Sequence, residues 1–551
     1  MSNSKKSLFR WAPAALFGVA VVVFLILFIR YQRKPEILEI DRLVAGPGDR
    51  IEIVGRYFGD GLDGSKLQVG SGTLTSAGII EWTDNRIVAR VPRNDGAVLV
   101  KVKTGSGMSN GVILADESRF PSVDYGPWLP GAPFIEYAEP PAGSAGTLVT
   151  LHGKGFGDKR GGGQIWVNHT DASALLGTEE PDLARYIEAE FINLWSDETV
   201  SFWIPQGASS GNIYLKKGGA FSNPVSMDIR SAAGTVQAGT DIQWSLRQEL
   251  SVDRIGAFPG NSLYVYLPAP QSGPGQKNSA VMEPVDSSGY VKMRNEGHLS
   301  LYRLDELAPG ERRLISRQIV VTTYPVRYRV SPGELVPYDP RHPEIAASLG
   351  GDDRINPDLV AGSAARVAGG ARDDWTKSRA VYDAVMNWLD WQEDLSFESI
   401  EDVLAASAAD SAGYAYLFCS LARAVDVPAR PVGGIVVTSD RKTQEWWWAE
   451  IWIQGLGWVP VDPAAGDGAG NFSTDFRDED SGDAYFGGLD GRHIAFSRGR
   501  AESSPLQPHP ELRIPDDFYS LQDVWEEVSG NLESYVSRWN VPRVTAVYPS
   551  D

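Results

Sequence analysis

Cysteine and histidine are scarce in this chain of 551 residues, and basic residues are outnumbered. The single cysteine, Cys419, excludes an internal disulfide framework. The chain has six histidines, but no Cys/His cluster with the spacing of zinc ligands. We therefore expect neither a metal ion nor another cofactor.

The charge balance limits the kinds of partner that the chain can bind. The formal charge is −20, and six Lys/Arg residues lie before Glu36, on both sides of one apolar run. Leaving those six out gives 45 basic against 71 acidic residues, a balance of −26. An acidic body repels polyanions, so we expect no nucleic-acid partner and no docking on an anionic membrane surface.

One uncharged apolar run, residues 11–29, is long enough to cross a bilayer as a helix. A cleaved signal peptide has a shorter apolar core and a cleavage site with small residues, whereas RYQRK follows here at 30–34. We therefore predict an N-terminal tail and transmembrane anchor over residues 1–34. Three basic residues on each side leave the positive-inside bias balanced. The short tail and the domains that follow favour a single-pass protein whose bulk is extracytoplasmic.

Residues 35–230 contain a weak internal repeat. GRYFG at 55–59 matches GKGFG at 153–157, WTD at 82–84 matches WSD at 195–197, and SN at 109–110 matches SN at 222–223. Short alternating segments separated by Gly and Pro predict two β-sandwiches, over 35–118 and 133–230. The pattern resembles the immunoglobulin-like IPT/TIG family. The resemblance implies spacers or protein-binding modules, and both roles stay open.

Three further regions follow. Strand-like sequence predicts a β domain over 241–335, and helical spacing begins near Pro343 in a core over 340–500. Residues 501–551 form a C-terminal extension, in which apolar residues at helical spacing predict an amphipathic helix docked on its own domain.

The densest motifs lie between residues 409 and 463. They read ADSAGYAYLFCSLARA, VPAR, WWWAE and GWVPVDP, in that order. This succession resembles the transglutaminase-like superfamily, whose members read G-D-C, L-x-R-A, G-I-P-A-R, H-A-W-A-E and G-W-x-x-x-D-P. The resemblance implies a papain-like α+β fold. The predicted fold class is thus multidomain: a transmembrane helix, two immunoglobulin-like sandwiches, a β domain and a transglutaminase-like domain.

Two of the three catalytic positions depart from the family pattern. The family cysteine falls on Ser411, the family histidine falls on Trp446, and only Asp462 keeps its type. A serine hydroxyl needs a base, and an indole N–H donates but never accepts a proton. On this reasoning Asp462 has no imidazole to orient. Ser411 is interpreted as the N-terminal cap of its helix.

Other residues could replace the missing groups. Cys419 lies among apolar residues of the same helix and is interpreted as buried packing. His493 is either a structural histidine or a recruited base. Trp448, Glu450 and Trp458 are candidate cleft or binding residues. Trp446 either blocks the cleft or lines an aromatic groove, since tryptophan is enriched at interaction hot spots.

Three functions follow from these alternatives. The first is a membrane-anchored envelope protein whose inactive transglutaminase-like domain, a pseudoenzyme, binds or scaffolds another envelope or extracellular protein. The second is an acyltransferase or protease that uses Ser411 with a recruited base. The third is a purely structural envelope element. The family resemblance implies a bacterial chain.

Overall fold

The structure, a computed structural model, describes residues 34–549 except 43, 60, 62–63, 71, 75, 93–97, 117–131, 170–182, 283–289, 297–298, 394, 398, 470–475, 477–479, 500–510 and 514–524. The predicted anchor over 11–29 lies outside the described residues. Within the described part, no helix has the length and apolar character needed to span a bilayer. The chain divides into two compact units, Met1–Ala232 with Glu334–Asp339 and Ala233–Gly333 with Pro340–Asp551.

The first unit contains two mainly antiparallel β-sandwiches. The strands of the first are β1 (Glu36–Ile40), β2 (Val44–Ala45), β3 (Arg50–Arg56), β4 (Lys66–Val69), β5 (Gly72–Thr73), β6 (Ile79–Trp82), β7 (Arg86–Arg90), β8 (Val98–Thr104), β9 (Gly107–Met108) and β10 (Val112–Asp116). Those of the second are β11 (Phe134–Glu139), β12 (Ala142–Gly143), β13 (Leu148–Lys154), β14 (Gln164–Asn168), β15 (Tyr186–Glu188), β16 (Ile192–Trp195), β17 (Thr199–Trp203), β18 (Gly211–Lys217), β19 (Ala220–Phe221) and β20 (Val225–Ile229). Short 3-10 turns are Ser76–Gly78 and Leu183–Arg185.

The two sandwiches share one strand order. The sheets of the first are β1-β3-β7-β6 and β2-β10-β8-β4-β5, and those of the second are β11-β13-β17-β16 and β12-β20-β18-β14-β15. Each strand of the second sandwich therefore occupies the same place as the strand of the first sandwich whose number is lower by ten. Two packed sheets of this kind fit an immunoglobulin-like domain. The narrower IPT/TIG assignment stays a prediction.

The repeated motifs form the same contact in both sandwiches. The indole of Trp82 donates to the carbonyl of Phe58 (3.1 Å), and the indole of Trp195 donates to the carbonyl of Phe156 (3.0 Å). Both phenylalanines are completely buried. In each sandwich, the tryptophan of one motif thus hydrogen-bonds to the segment that carries the glycine-rich motif, and the phenylalanine of that segment is buried in the core.

The second unit combines a β domain with an α+β core. Its strands are β21 (Gly234–Ala238), β22 (Ile242–Pro268), β23 (Gln276–Met282), β24 (Val291–Glu296), β25 (Leu299–Asp305), β26 (Arg313–Thr323), β27 (Val326–Val330), β28 (Asp390–Trp391), β29 (Ala408–Ala409), β30 (Ala429–Val437), β31 (Thr443–Ile453), β32 (Gly457–Val461), β33 (Gly488–Leu489), β34 (His493–Arg498), β35 (Glu511–Arg513), β36 (Trp525–Trp539) and β37 (Arg543–Pro549). Its helices are α1 (Pro343–Ala347), α2 (Pro357–Ala368), α3 (Asp374–Trp388), α4 (Ile400–Ala406), α5 (Ser411–Arg423), α6 (Pro463–Gly466) and α7 (Ser481–Ala484). A 3-10 turn, Pro332–Glu334, follows β27.

The predicted C-terminal helix is wrong, because residues 525–539 form strand β36 against the long strand β22. The buried residues Val528, Leu532 and Tyr535 have helical spacing, but they belong to the same core cluster as the inner face of β22. The pairing is irregular around Gly530, which has a φ of 73°. A spacing of four keeps Val528 and Leu532 on one face of a regular strand, whereas the spacing of three between Leu532 and Tyr535 requires a register shift, which lies between Leu532 and Ser534.

The core sheet has the order β32-β31-β30-β34, and every residue of helix α5 is buried in the domain. Ile435 and Ile494 of this sheet form one apolar cluster with Trp244 and Val321 of the β domain. The sheet thus positions β31, β34 and the end of β32, which together with the start of α5 carry the candidate site residues.

Candidate functional site

Ser411 is the first residue of α5, but Asp410 is its N-terminal cap. The carboxylate of Asp410 accepts from the backbone N–H of Gly413 (2.9 Å), so the cap predicted at Ser411 is displaced by one residue. A carboxylate also interacts favourably with the positive end of the helix dipole. The Ser411 side chain is buried, and its Oγ accepts from the backbone N–H of Trp447 (3.2 Å).

Trp446 of β31 contacts the third catalytic position directly. Its indole Nε1 donates to Asp462 Oδ2 at 2.8 Å, and only 1% of its surface is exposed. An exposed hot-spot tryptophan would present its ring to a partner, whereas this ring is enclosed by the domain. The indole is therefore not available to line an accessible groove.

Asp462 follows β32 and caps the short helix α6. Its Oδ1 accepts from the backbone N–H of Ala465 (2.9 Å), and its Oδ2 also lies 3.1 Å from His493 Nε2. The expectation that Asp462 has no imidazole partner is therefore wrong. Strand β34 pairs with β30 and brings His493 beside Asp462 from 31 residues further along the chain.

His493 lies between two buried carboxylates. Its Nδ1 lies 2.8 Å from Asp490 Oδ1, and Tyr485 donates its hydroxyl to Asp490 Oδ2 at 2.7 Å. Burial opposes the charged imidazolium, but Asp490 and Asp462 outweigh burial and raise the pKa of His493 to about 9. Burial likewise disfavours the charged form of Asp490, yet His493 and the hydroxyl of Tyr485 keep the pKa of Asp490 below its usual value.

The geometry supports a doubly protonated imidazole. If both carboxylates are ionised, each ring nitrogen of His493 must carry a proton to form its contact. An imidazolium has no free lone pair with which to take a proton from Ser411. In the described part of the chain, the hydrogen-bond partner of the Ser411 side chain is the backbone of Trp447. Both ring nitrogens of His493 are thus engaged by Asp490 and Asp462, which favours a structural role over that of a base for Ser411.

Cys419 does not supply an alternative nucleophile. It lies on α5 with no exposed surface, and burial raises the pKa of its thiol to about 12. A thiol with this pKa is protonated at neutral pH, and only the thiolate is a strong nucleophile.

The other candidate residues, Trp448, Glu450 and Trp458, are also buried, and each contacts a charged or aromatic side chain. Trp448 packs edge-on against His493 with ring centroids 5.2 Å apart. Glu450 pairs with Arg430 (2.8 Å) and with Arg498, and no part of its side chain is exposed. The Arg430 guanidinium lies 3.9 Å from the ring centroid of Trp458, as in a cation–π contact. These residues hold β30, β31 and β34 together and present no surface to a ligand.

Sequence reasoning missed Asp490 and Tyr485. The signal was present, because Asp490 precedes His493 by three residues in LDGRHIAF. Two carboxylates on one imidazole, however, become visible only when the strand pairing is known. Among the described residues, no group of three or more His, Cys, Asp or Glu side chains is arranged to hold a metal ion.

Comparisons with known proteins agree with the domain type. Residues 362–463 match the sequence model of the Transglutaminase-like superfamily. These residues form a transglutaminase-like domain. No curated protein matches the chain.

Three solved structures match part of the chain at low identity. A "Putative Cysteine Protease" from Cytophaga hutchinsonii is 13% identical and has a TM-score of 0.38, with 57% of this chain and 93% of that chain covered. The periplasmic domain of TgpA from Pseudomonas aeruginosa, bound to ethylmercury, is 14% identical and has a TM-score of 0.22, with 41% and 90% covered. SGBP-B from Bacteroides uniformis is 10% identical and has a TM-score of 0.14, with 53% and 99% covered.

Proposed function

We propose that this chain is a membrane-anchored envelope protein whose transglutaminase-like domain is non-catalytic and serves to bind or scaffold another extracytoplasmic protein. The observation that carries the proposal is the hydrogen bond from Trp446 Nε1 to Asp462 Oδ2. It places a donor-only side chain where acyl transfer would need a base.

The electrostatics around Asp462 support the same conclusion. Asp462 accepts hydrogen bonds from the indole of Trp446, the backbone of Ala465 and the imidazolium of His493. A carboxylate with three donors is satisfied without any catalytic imidazole. The acceptor that would orient a catalytic base instead joins β31, α6 and β34, which is a structural role.

The membrane part of the proposal comes from the sequence. Residues 11–29 are uncharged and apolar, and basic residues flank them on both sides. A helix of this length spans the hydrocarbon core. Digesting intact cells or spheroplasts with a protease tests the orientation. Degradation of the body is expected, and a fully protected body would refute an extracytoplasmic placement.

An activity assay tests the catalytic part. The full chain in detergent is assayed for incorporation of a fluorescent primary amine into a glutamine-containing protein and for peptide hydrolysis. We expect no turnover above that of Ser411→Ala. Activity that the wild type shows and Ser411→Ala lacks would overturn the proposal in favour of a serine-dependent acyltransferase or protease.

A further inference from the structure

The sheet β21-β27-β33 ends in a strand that is paired on one side only. β21 (Gly234–Ala238) pairs antiparallel with β27, and it is the terminal strand in the order. Thr235 lies opposite Arg329, and Gln237 lies opposite Arg327.

Backbone hydrogen bonds fix which groups of β21 point outward. Gly239 N–H donates to the carbonyl of Pro325 (2.7 Å), and Ser331 N–H donates to the carbonyl of Ala233 (2.7 Å). Hydrogen-bonded pairs alternate with non-bonded pairs in an antiparallel ladder. The residues of β21 with odd numbers therefore bond to β27, and the N–H and C=O groups of Val236 and Ala238 point away from it.

The β27 side confirms this register. Tyr328, opposite Val236, donates its N–H to the carbonyl of Gly487, on the side of β27 that faces β33. At each non-bonded pair, the backbone N–H and C=O groups of the β21 residue and of the β27 residue thus point away from each other.

Among the described residues, β21 itself carries no charge, proline or bulge that would protect this edge against strand addition. Natural edge strands carry charges, proline or a bulge, or are covered by another element. Residues 235–238 read TVQA and are all exposed, with Val236 at 48%. The pairing of β21 with β27 is regular throughout.

A cation lies beside the open edge. Arg329 is exposed, and its Nε donates to Gln237 Oε1 (3.2 Å) across the ladder. Among the described residues, no carboxylate lies within ion-pair distance of Arg329. Arg327, two residues away on the same face of β27, is already engaged: its guanidinium lies 4.3 Å from the ring centroid of Phe476 and donates to the carbonyl of Asp483 (3.3 Å).

We propose that β21 is a docking edge for an extended acidic segment of a partner protein, which adds to the sheet as a further strand. The backbone of the segment would bond to the outward groups of Val236 and Ala238. Acidic side chains would lie on the face of Arg329, and apolar side chains would lie on the face of Val236, because successive side chains alternate. The segment therefore alternates acidic and apolar residues.

This inference rests on the proposed function, since it says where the non-catalytic body would hold its partner. The docking proposal and the proposed function can, however, be refuted independently of each other. The peptide experiment below does not involve Ser411, and the activity assay does not involve β21.

Fluorescence anisotropy of labelled heptapeptides tests the edge on the full chain in detergent. The probes are EVEVEVE and its charge-reversed control KVKVKVK. We expect the acidic probe to bind saturably, with an affinity that falls as salt is added, and the basic probe not to bind. Failure of EVEVEVE to bind, or equal binding of both probes, would overturn the proposal.

Three variants locate the binding on β21. Val236→Pro removes an outward N–H without removing a bond to β27, as proline at an edge position allows. It should weaken EVEVEVE binding at least about fivefold, as expected for one lost hydrogen bond. Val236→Thr keeps the N–H and should bind like the wild type. Arg329→Gln should weaken binding and reduce its salt dependence.

Two further outcomes count against the proposal. If Val236→Pro binds as tightly as the wild type while retaining the wild-type circular dichroism spectrum, the peptide does not add to β21. If sedimentation velocity shows a wild-type dimer that Val236→Pro dissociates, the occupant of the edge is a second copy of this chain.

Discussion

Trp446 Nε1 and Asp462 Oδ2 are 2.8 Å apart, and both side chains are buried. The indole supplies the donor that the family resemblance assigns to a catalytic imidazole at this position. It lacks the second nitrogen that would accept a proton from residue 411. The same hydrogen bond therefore preserves the structure around Asp462 and excludes acid–base chemistry through Trp446.

Trp446→Phe should destabilise the domain. The change keeps most of the ring volume but removes a donor to a buried carboxylate, which is expected to cost about 1.5–3 kcal/mol. Urea unfolding monitored by circular dichroism measures the loss. Trp452→Phe is a matched control, because Trp452 is equally buried on β31 but donates to the neutral Gln454 (3.2 Å). Equal losses in both variants would contradict a special role for the Asp462 contact.

The stability of the second unit should fall as the pH rises from 7 to 10. The pKa of His493 is about 9 in the folded protein and near 6.5 in an unfolded chain. Protonated His493 therefore stabilises the fold fully below about pH 6.5, and this contribution is lost as the pH rises through 9. Over pH 7–10 the free energy of unfolding should decrease by roughly 2–3 kcal/mol more in the wild type than in His493→Gln. Parallel pH profiles for the two proteins would show that His493 does not carry the charge.

The double variant Ser411→Cys with Trp446→His should acquire a reactive thiol. Residue 411 begins α5, where the positive end of the helix dipole favours a thiolate, and an imidazole at position 446 could take the proton. Alkylation at pH 7 should be about tenfold faster or more than for Ser411→Cys alone, because a lowered pKa increases the thiolate fraction. The wild type is the control for Cys419, which is fully buried and should react only after unfolding. Equal alkylation of the single and double variants would contradict the placement of residues 411 and 446.

Much of the site was predictable from local motifs, because each motif places its own residue on a defined element. The transglutaminase-like domain is confirmed by the match over 362–463. Ser411 begins a helix, Trp446 lies on a strand, and Asp462 follows the next strand, as the flanking motifs indicated. The hydrogen bonds of Trp446 with Asp462 and of Ser411 with Trp447 join these three places.

The features that could not be predicted depend on strand pairing between distant parts of the chain. His493 reaches Asp462 only because β34 adds to β30, and the sequence around His493 does not specify that neighbour. The strand at Trp525–Trp539 has apolar residues at a spacing that also fits a helix. Its partner, β22, lies far earlier in the sequence, so local periodicity favoured the wrong element.

The two sandwiches offer a test of whether the repeated tryptophans have the same energetic role. Trp82→Phe and Trp195→Phe each remove an indole donor to a phenylalanine carbonyl, so each should lower the stability of its sandwich by about 1 kcal/mol. Trp166→Phe is the control, since among the described residues the Nε1 of Trp166 has no hydrogen-bond partner. Because an orphaned buried donor already costs free energy, Trp166→Phe should be neutral or slightly stabilising. Thermal unfolding of the three variants gives the comparison. A loss for Trp166→Phe as large as the other two would mean that ring packing, and not the shared hydrogen bond, explains why tryptophan recurs in both motifs.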